Sequence, residues 1–281
     1  GRVYARGAAD DMGGWVSHMA AMRAWFEETG SLPCNVKLLV EGEEEIGSPH
    51  FRAGLKDRAA IPRPDSVIVS DTIWIAKGRP AVPYGLRGLL GARLILRTGE
   101  KDAHSGVTGG AARNPLAELM EVATSCVDAR TGRVKIPGFY DDAVEPTKAE
   151  IKSFLKSGFQ VKGFKEAYGF RSLRVQDPAD VLRRIWASPT FEIHGLSGGY
   201  HGQGVKTVVP GHAELKISMR LVPDQVPERV FALFKKHVAK INPTIKVERE
   251  GMLHPFKGSF SGPYVDCVKR AVKAGFGKEP A

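Results

Sequence analysis

Three clusters of acidic residues mark the first quarter of the chain. Asp10 and Asp11 stand together in a Gly-flanked turn, Ala5-Arg6-Gly7-Ala8-Ala9-Asp10-Asp11-Met12-Gly13-Gly14. Four glutamates crowd Glu41-Gly42-Glu43-Glu44-Glu45-Ile46-Gly47-Ser48, and Asp71 sits in Ser70-Asp71-Thr72. Any one of these alone reads as a helix cap or a solvated turn. Taken together they need another explanation, because neighbouring carboxylates repel unless protons or cations compensate, and hard oxygen ligands from several loops are how proteins hold divalent metals. The chemistry indicated is metal-assisted hydrolysis. Spacing alone does not choose between Asp10 and Asp11, nor between Glu43 and its neighbours.

Such ligands must be presented by firm elements. Trp15, Met19, Met22 and Phe26 recur at three- and four-residue steps, which predicts an amphipathic helix directly after the Asp10–Asp11 turn. The apolar runs Val36–Val40 and Ser66–Val69 have strand length and lead into the glutamate cluster and Asp71, with a polar, Pro-bearing stretch between them that has room for a helix. Ligands at strand ends are typical of open α/β sheets, so an α/β domain with a mostly parallel sheet is expected.

After about Pro80 the pattern changes. Leu89–Leu96, Thr190–Gly195, Ala213–Leu221 and Thr244–Glu248 alternate polar and apolar residues as one-sided strands do, while Pro115–Cys126 and Pro227–Ala239 have helical spacing. This predicts an α+β module with a four-stranded antiparallel sheet and two helices at residues 82–252. It would be inserted between a first domain part, residues 1–81, and its resumption at residues 253–281, where Tyr264–Ala274 again has helical spacing. Gly138–Glu150 and the basic stretch to Lys165 read as a long excursion. The opening without Met and the abrupt end suggest a piece of a longer protein.

Composition narrows the partners. The net charge of +10 is spread over scattered Lys and Arg with no aromatic-basic motif, so it reads as solvated surface that draws in anionic substrates rather than nucleic acid. No apolar run approaches the length of a membrane span. Three widely spaced cysteines, Cys34, Cys126 and Cys267, point to neither a disulfide framework nor a thiolate metal site, and a cytoplasmic setting is expected.

The stretches GxxDDxGG, EGEEEIGS and SDT resemble, in collinear order, the signatures of the M20 family of metallopeptidases, nearest to its carnosinase-like dipeptidase branch. The likeness continues through Asp102-Ala103-His104-Ser105-Gly106, Ile136-Pro137-Gly138-Phe139-Tyr140-Asp141, Thr207-Val208-Val209-Pro210 and Ser218-Met219-Arg220-Leu221-Val222-Pro223. The resemblance implies two divalent metals, zinc with manganese or cobalt as substitutes, bridged by Asp10 and held singly by Glu45 and Asp71. It makes Glu44 the general base, His104 a group that polarises the scissile carbonyl in the partner subunit's site, Arg220 the binder of the substrate carboxylate and Thr207 a further substrate contact. It implies a homodimer formed through the inserted module and a small peptide substrate, with an N-acyl amino acid deacylase or a non-catalytic relative as rival readings. Two histidine ligands of the family pattern fall outside this chain, so these 281 residues alone are expected to hold metal weakly. Met12 stands where many relatives carry Lys.

Overall fold

The helix expected after the Asp10–Asp11 turn forms as α1, Met12–Thr29, and stops at Gly30, whose left-handed φ of 73° lets its N–H reach the Phe26 carbonyl at 2.9 Å. The computed structural model describes residues 4, 5, 7, 8, 10–56, 63–69, 71 and 78–281. Its chain divides into two units, Gly1–Ile73 and Trp74–Ala281. Ser70 and Thr72, which flank Asp71, lie outside the described residues, as do Arg6 and Ala9 of the first cluster.

In the first unit a single 3-10 turn, Glu44–Ile46, closes on Gly47, and α2, Phe51–Gly54, fills the place left for a helix. The strands expected at Val36–Val40 and Ser66–Val69 are not formed among the described residues. A strand exists only through its hydrogen-bonded neighbours, and both runs lack a ladder partner there, leaving Val40 and Val69 at 59% and 75% exposure.

The second unit opens with β1, Gly85–Leu86, and β2, Gly88–Arg97. Next come β3, Ala103–His104, the one-turn α3, Ser105–Thr108, and α4, Pro115–Cys126. The predicted excursion instead holds α5, Lys148–Lys156, and the start of α6, Val161–Tyr168, and α7, Pro178–Leu182, follows beyond it. The chain continues through β4, Thr190–Gly198, β5, Val208–Val209, β6, His212–Leu221, α8, Pro227–Ile241, and β7, Lys246–Leu253. It ends with β8, Phe256–Lys257, and α9, Pro263–Phe276. The four long strands pair antiparallel in the order β4-β6-β2-β7.

Alternation decides which face is buried. Leu90, Ala92, Leu94 and Leu96 from β2 and Ala213, Leu215, Ile217, Met219 and Leu221 from β6 pack with Leu119 and Val122 of α4 and Val230, Phe234 and Val238 of α8. Each large apolar side chain so buried contributes about 1.5–3 kcal/mol. α4 starts where Asn114 accepts the N–H groups of Leu116 and Ala117 at 3.1 and 3.3 Å and Pro115 needs no partner of its own.

A smaller ladder ties the ends of this module together. Gly85 pairs with Lys257 and Leu86 with Phe256. A Cβ on Gly85 would come within 2.7 Å of the Phe256 carbonyl, and one on Gly88 within 2.6 Å of the Leu253 carbonyl, so both positions need the missing side chain. Both crossing segments are anchored on Glu150. One of its carboxylate oxygens accepts the Tyr84 hydroxyl at 2.9 Å and the Lys257 ammonium at 2.6 Å, and the other accepts the Thr147 N–H and hydroxyl, each at 2.9 Å. Burial opposes the charge on Glu150, yet Lys257, Thr147 and Tyr84 hold its pKa at about 2.

Candidate metal centre and substrate-contact residues

The glutamate loop sorts its own members. Glu41 accepts the Ser48 hydroxyl at 2.6 Å and the Glu43 N–H at 3.0 Å, while Glu43 accepts the His50 N–H at 3.1 Å and pairs with its ring Nδ1 at 2.8 Å. These two carboxylates brace the loop across the 3-10 turn that carries Glu44 and Glu45. Spacing left Glu43 as a rival to its neighbours; its engagement with His50 gives it a structural task.

Carboxylate oxygens of Asp10, Asp11 and Asp71 lie within 4.8 Å of one another. Loss of solvation, then the charge of Asp10 and a hydrogen bond to it, then Asp11 and Glu45, push the Asp71 carboxyl above its ordinary value. Glu44 is pushed up in the same way, by loss of solvation and then by Asp71, Glu45, Asp10 and Glu41. The structure thus gathers Asp10, Asp71, Glu44 and Glu45 into one electrostatic neighbourhood and adds Asp11, which spacing had left open. The donor set fits a divalent cation: hard carboxylate oxygens, drawn from separate segments, whose mutual repulsion a dication would relieve.

In the second unit, β3 and β5 bring His104 opposite Val208 and Ala103 opposite Val209. His104 Nδ1 accepts the Gly106 N–H at 2.9 Å as the N-cap of α3, which leaves Nε2 to carry the ring proton in the neutral imidazole. Nε2 lies 3.4 Å from the Thr207 hydroxyl, so these two residues share one edge. A donor held in this tautomer is what polarisation of a carbonyl oxygen requires.

Arg220 is elsewhere. It lies at the far end of β6, opposite Leu89 and Thr190, with its backbone N–H on the Thr190 hydroxyl at 3.3 Å. His104 and Thr207 stand beyond the other end, where β5 leads into His212. At ~3.3 Å per residue the run from His212 to Arg220 spans roughly 26 Å, whereas an extended dipeptide reaches about 7 Å. Arg220 and the edge of His104 and Thr207 thus belong to opposite ends of β6.

Two residues that hold this arrangement escaped the sequence reading. The Glu150 anchor was signalled by Thr147-Lys148-Ala149-Glu150, a capping-box spacing. Arg87, whose guanidinium donates to the carbonyls of Arg184 and Ser188 at 3.3 and 3.2 Å, had no local signal at all.

Comparison with known proteins adds an independent line. Residues 84–246 match the family model of the M20 peptidase dimerisation domain. The whole chain is 31% identical to the Beta-Ala-His dipeptidase of Homo sapiens over 292 residues, covering 57% of that protein. It is also 31% identical to the Cys-Gly metallodipeptidase dug1 of Schizosaccharomyces pombe over 288 residues, covering 60% of it. Among solved structures, the M20 family metallo-carboxypeptidase Sso-CP2 from Sulfolobus solfataricus has a TM-score of 0.85 and 35% identity across 92% of this chain and 59% of that one. The chain thus spans 57% and 60% of the two curated relatives' length.

Proposed function

This chain belongs to the M20 metallopeptidase family, and from that premise we propose that the whole protein is a dipeptidase that cleaves its substrate's amide bond with metal-activated water. Its fold is that family's α/β metallohydrolase domain with an inserted α+β dimerisation domain, and we place the insertion at residues 82–252, between 1–81 and 253–281. The observation that carries the reading is the convergence of Asp10, Asp71, Glu44 and Glu45, with Asp11, in one charged centre.

In this reading Asp10, Asp71 and Glu45 would hold two divalent ions, zinc by preference with manganese or cobalt as substitutes, Asp10 being the carboxylate that they would share. When bound, the ions supply Lewis-acid activation of water and polarisation of the scissile carbonyl. Glu44 accepts the proton of the attacking water and returns it to the leaving amine. His104 Nε2–H donates to the developing oxyanion, Thr207 supports that edge, and Arg220 forks the substrate's free carboxylate. The relatives' names favour such a carboxylate, since two dipeptidases and a carboxypeptidase each release a residue that bears one. The spread between His104 and Arg220 favours a homodimer in which each site takes its His104 from the other subunit. Among the described residues no helix is long and apolar enough to cross a membrane. The thiols Cys34, Cys126 and Cys267 are free, which suits the cytoplasm we propose.

Two measurements test this. The full-length protein, stripped with a chelator and reloaded with zinc or manganese, is assayed on several dipeptides beside N-acetyl and N-succinyl amino acids. Metal-dependent release from dipeptides is expected; turnover confined to the N-acyl compounds would move the protein to the deacylases, and metal binding without any turnover would leave a non-catalytic relative. The second mixes Glu44→Gln protomers with His104→Ala protomers. If His104 serves its partner's site, each mixed dimer regains one intact centre, so activity rises well above both parents, each of which lacks a group worth roughly 100-fold or more. No gain on mixing would place His104 in its own subunit's site.

A further inference from the structure

In the middle of the sheet face turned away from α4 and α8, cations come with acids. Arg93 meets Glu248 at 2.5 Å and Glu214 at 3.5 Å, Lys216 meets Glu250 at 3.5 Å, and Lys246 meets Glu248 at 2.6 Å. At one end of the same face this pairing stops. Leu89 is the register partner of Arg220, and Arg87, just ahead of β2, donates to the carbonyl of Ser188, two residues before Thr190, which is the partner of Arg220 in β4, so the two guanidinium charges act on each other. Neither arginine has an acidic partner among the described residues. Glu192, diagonal to Arg220 across β4, is turned to Arg174 at 3.7 Å.

Arg87 is half-buried and held in place by the two carbonyls of Arg184 and Ser188. Burial, and then the charge of Arg220, lower its pKa to about 10, which still leaves it charged at neutral pH. Holding two like charges together beside Arg93, Lys216 and Lys246, each of which has an acid, costs stability unless something else supplies the anion. We propose that Arg87 is a positioning residue for the substrate: fixed beside Arg220, it makes a two-guanidinium pole whose counter-ion is the free α-carboxylate of the substrate's C-terminal residue. Arg220 makes the forked contact and Arg87 supplies a second, immobile charge behind it. This deepens the dipeptidase reading and rests on it. Its specific consequence is discrimination between a free acid and the corresponding amide, which a neutral pocket would not make.

The test uses the full-length, metal-loaded protein. In the Glu44→Gln background, calorimetry gives the Kd of Ala-Gly and of Ala-Gly amide with and without Arg87→Met or Arg87→Lys. Arg87→Met is expected to weaken Ala-Gly about tenfold and leave the amide within about twofold, with Arg87→Lys recovering most of the loss. With Glu44 intact, the KM for Ala-Gly rises by the same factor and kcat is unchanged. Should Arg87→Met fail to fold, Arg87→Lys against Arg87→Gln makes the same comparison, since both keep a donor for the two carbonyls and differ in charge. Equal effects on acid and amide, or no effect on either, would overturn the proposal. If the wild type cleaves nothing while Arg87 still distinguishes acid from amide, the hydrolase reading falls and the anion subsite stands.

Discussion

Glu44→Gln in the full-length protein should lower kcat on a dipeptide by about 1,000-fold, within the range that a positioned general base contributes. Gln keeps the size and the hydrogen-bonding carbonyl of Glu and loses only the capacity to take a proton, so metal content and dipeptide affinity should stay near wild type. The structure gives the reason to single out this glutamate. Glu41 and Glu43 are committed to Ser48, to the loop backbone and to His50, and Glu44 is carried on the turn that they brace, inside the field of Asp71, Glu45 and Asp10. Metal analysis alongside the kinetics separates the possible roles. A variant that loses bound metal identifies Glu44 as a ligand, and a variant within tenfold of wild type removes it from the mechanism. Glu43→Gln is the matched control, expected to act through loop stability and to leave most of the turnover.

The second large effect falls on stability. Glu150→Ala should destabilise the dimerisation domain by ~3 kcal/mol, because it removes a buried carboxylate from four hydrogen bonds and leaves Lys257 and Tyr84 without their partner. For a domain of this size that corresponds to a fall in Tm of roughly 6–12 °C, read by calorimetry on the full-length protein. The pH dependence carries a second signature. The Glu150 pKa lies below the ordinary value of 4.5, so its contribution is fully present above about pH 4.5 and is lost as the pH falls towards about 2, where the native carboxylate takes up its proton. The wild type should therefore lose its advantage over Glu150→Ala across that window. A difference that stays constant from pH 5 to pH 2 would mean the anchor is held by packing rather than by charge.

The sequence made the second unit far more legible than the first, for a physical reason. In β2 and β6 every second residue is pressed against α4 and α8, so the alternation of Leu90, Leu94, Leu215 and Ile217 with polar neighbours records the burial directly. The helix at Pro115–Cys126 was readable to the residue because Asn114 and Pro115 announce its start. The three helices α5, α6 and α7 were hidden because they are short, nine, eight and five residues, too few turns for an apolar periodicity to repeat; the capping signals at Thr147 and Asp177 marked two of them. Val36–Val40 and Ser66–Val69 misled in the opposite sense, their composition promising strands that have no ladder among the described residues. For the site, residue type and order were enough to nominate Asp10, Glu44, Glu45 and Asp71. Choosing among adjacent glutamates needed contacts such as Glu43 with His50, which are made across seven positions and cannot be read from local spacing.

The ladder between β1 and β8 carries one more consequence. Gly85 and Gly88 lie so close to the carbonyls of Phe256 and Leu253 that even a methyl group has no room, and this crowding is indifferent to the reaction. Intolerance to substitution at these positions would thus record how nearly two strands of the polypeptide touch. A survey that ranked residues by mutational sensitivity would set them beside Asp10 and Glu44, and any redesign of the protein for a new substrate can vary the pocket freely while leaving this crossing untouched.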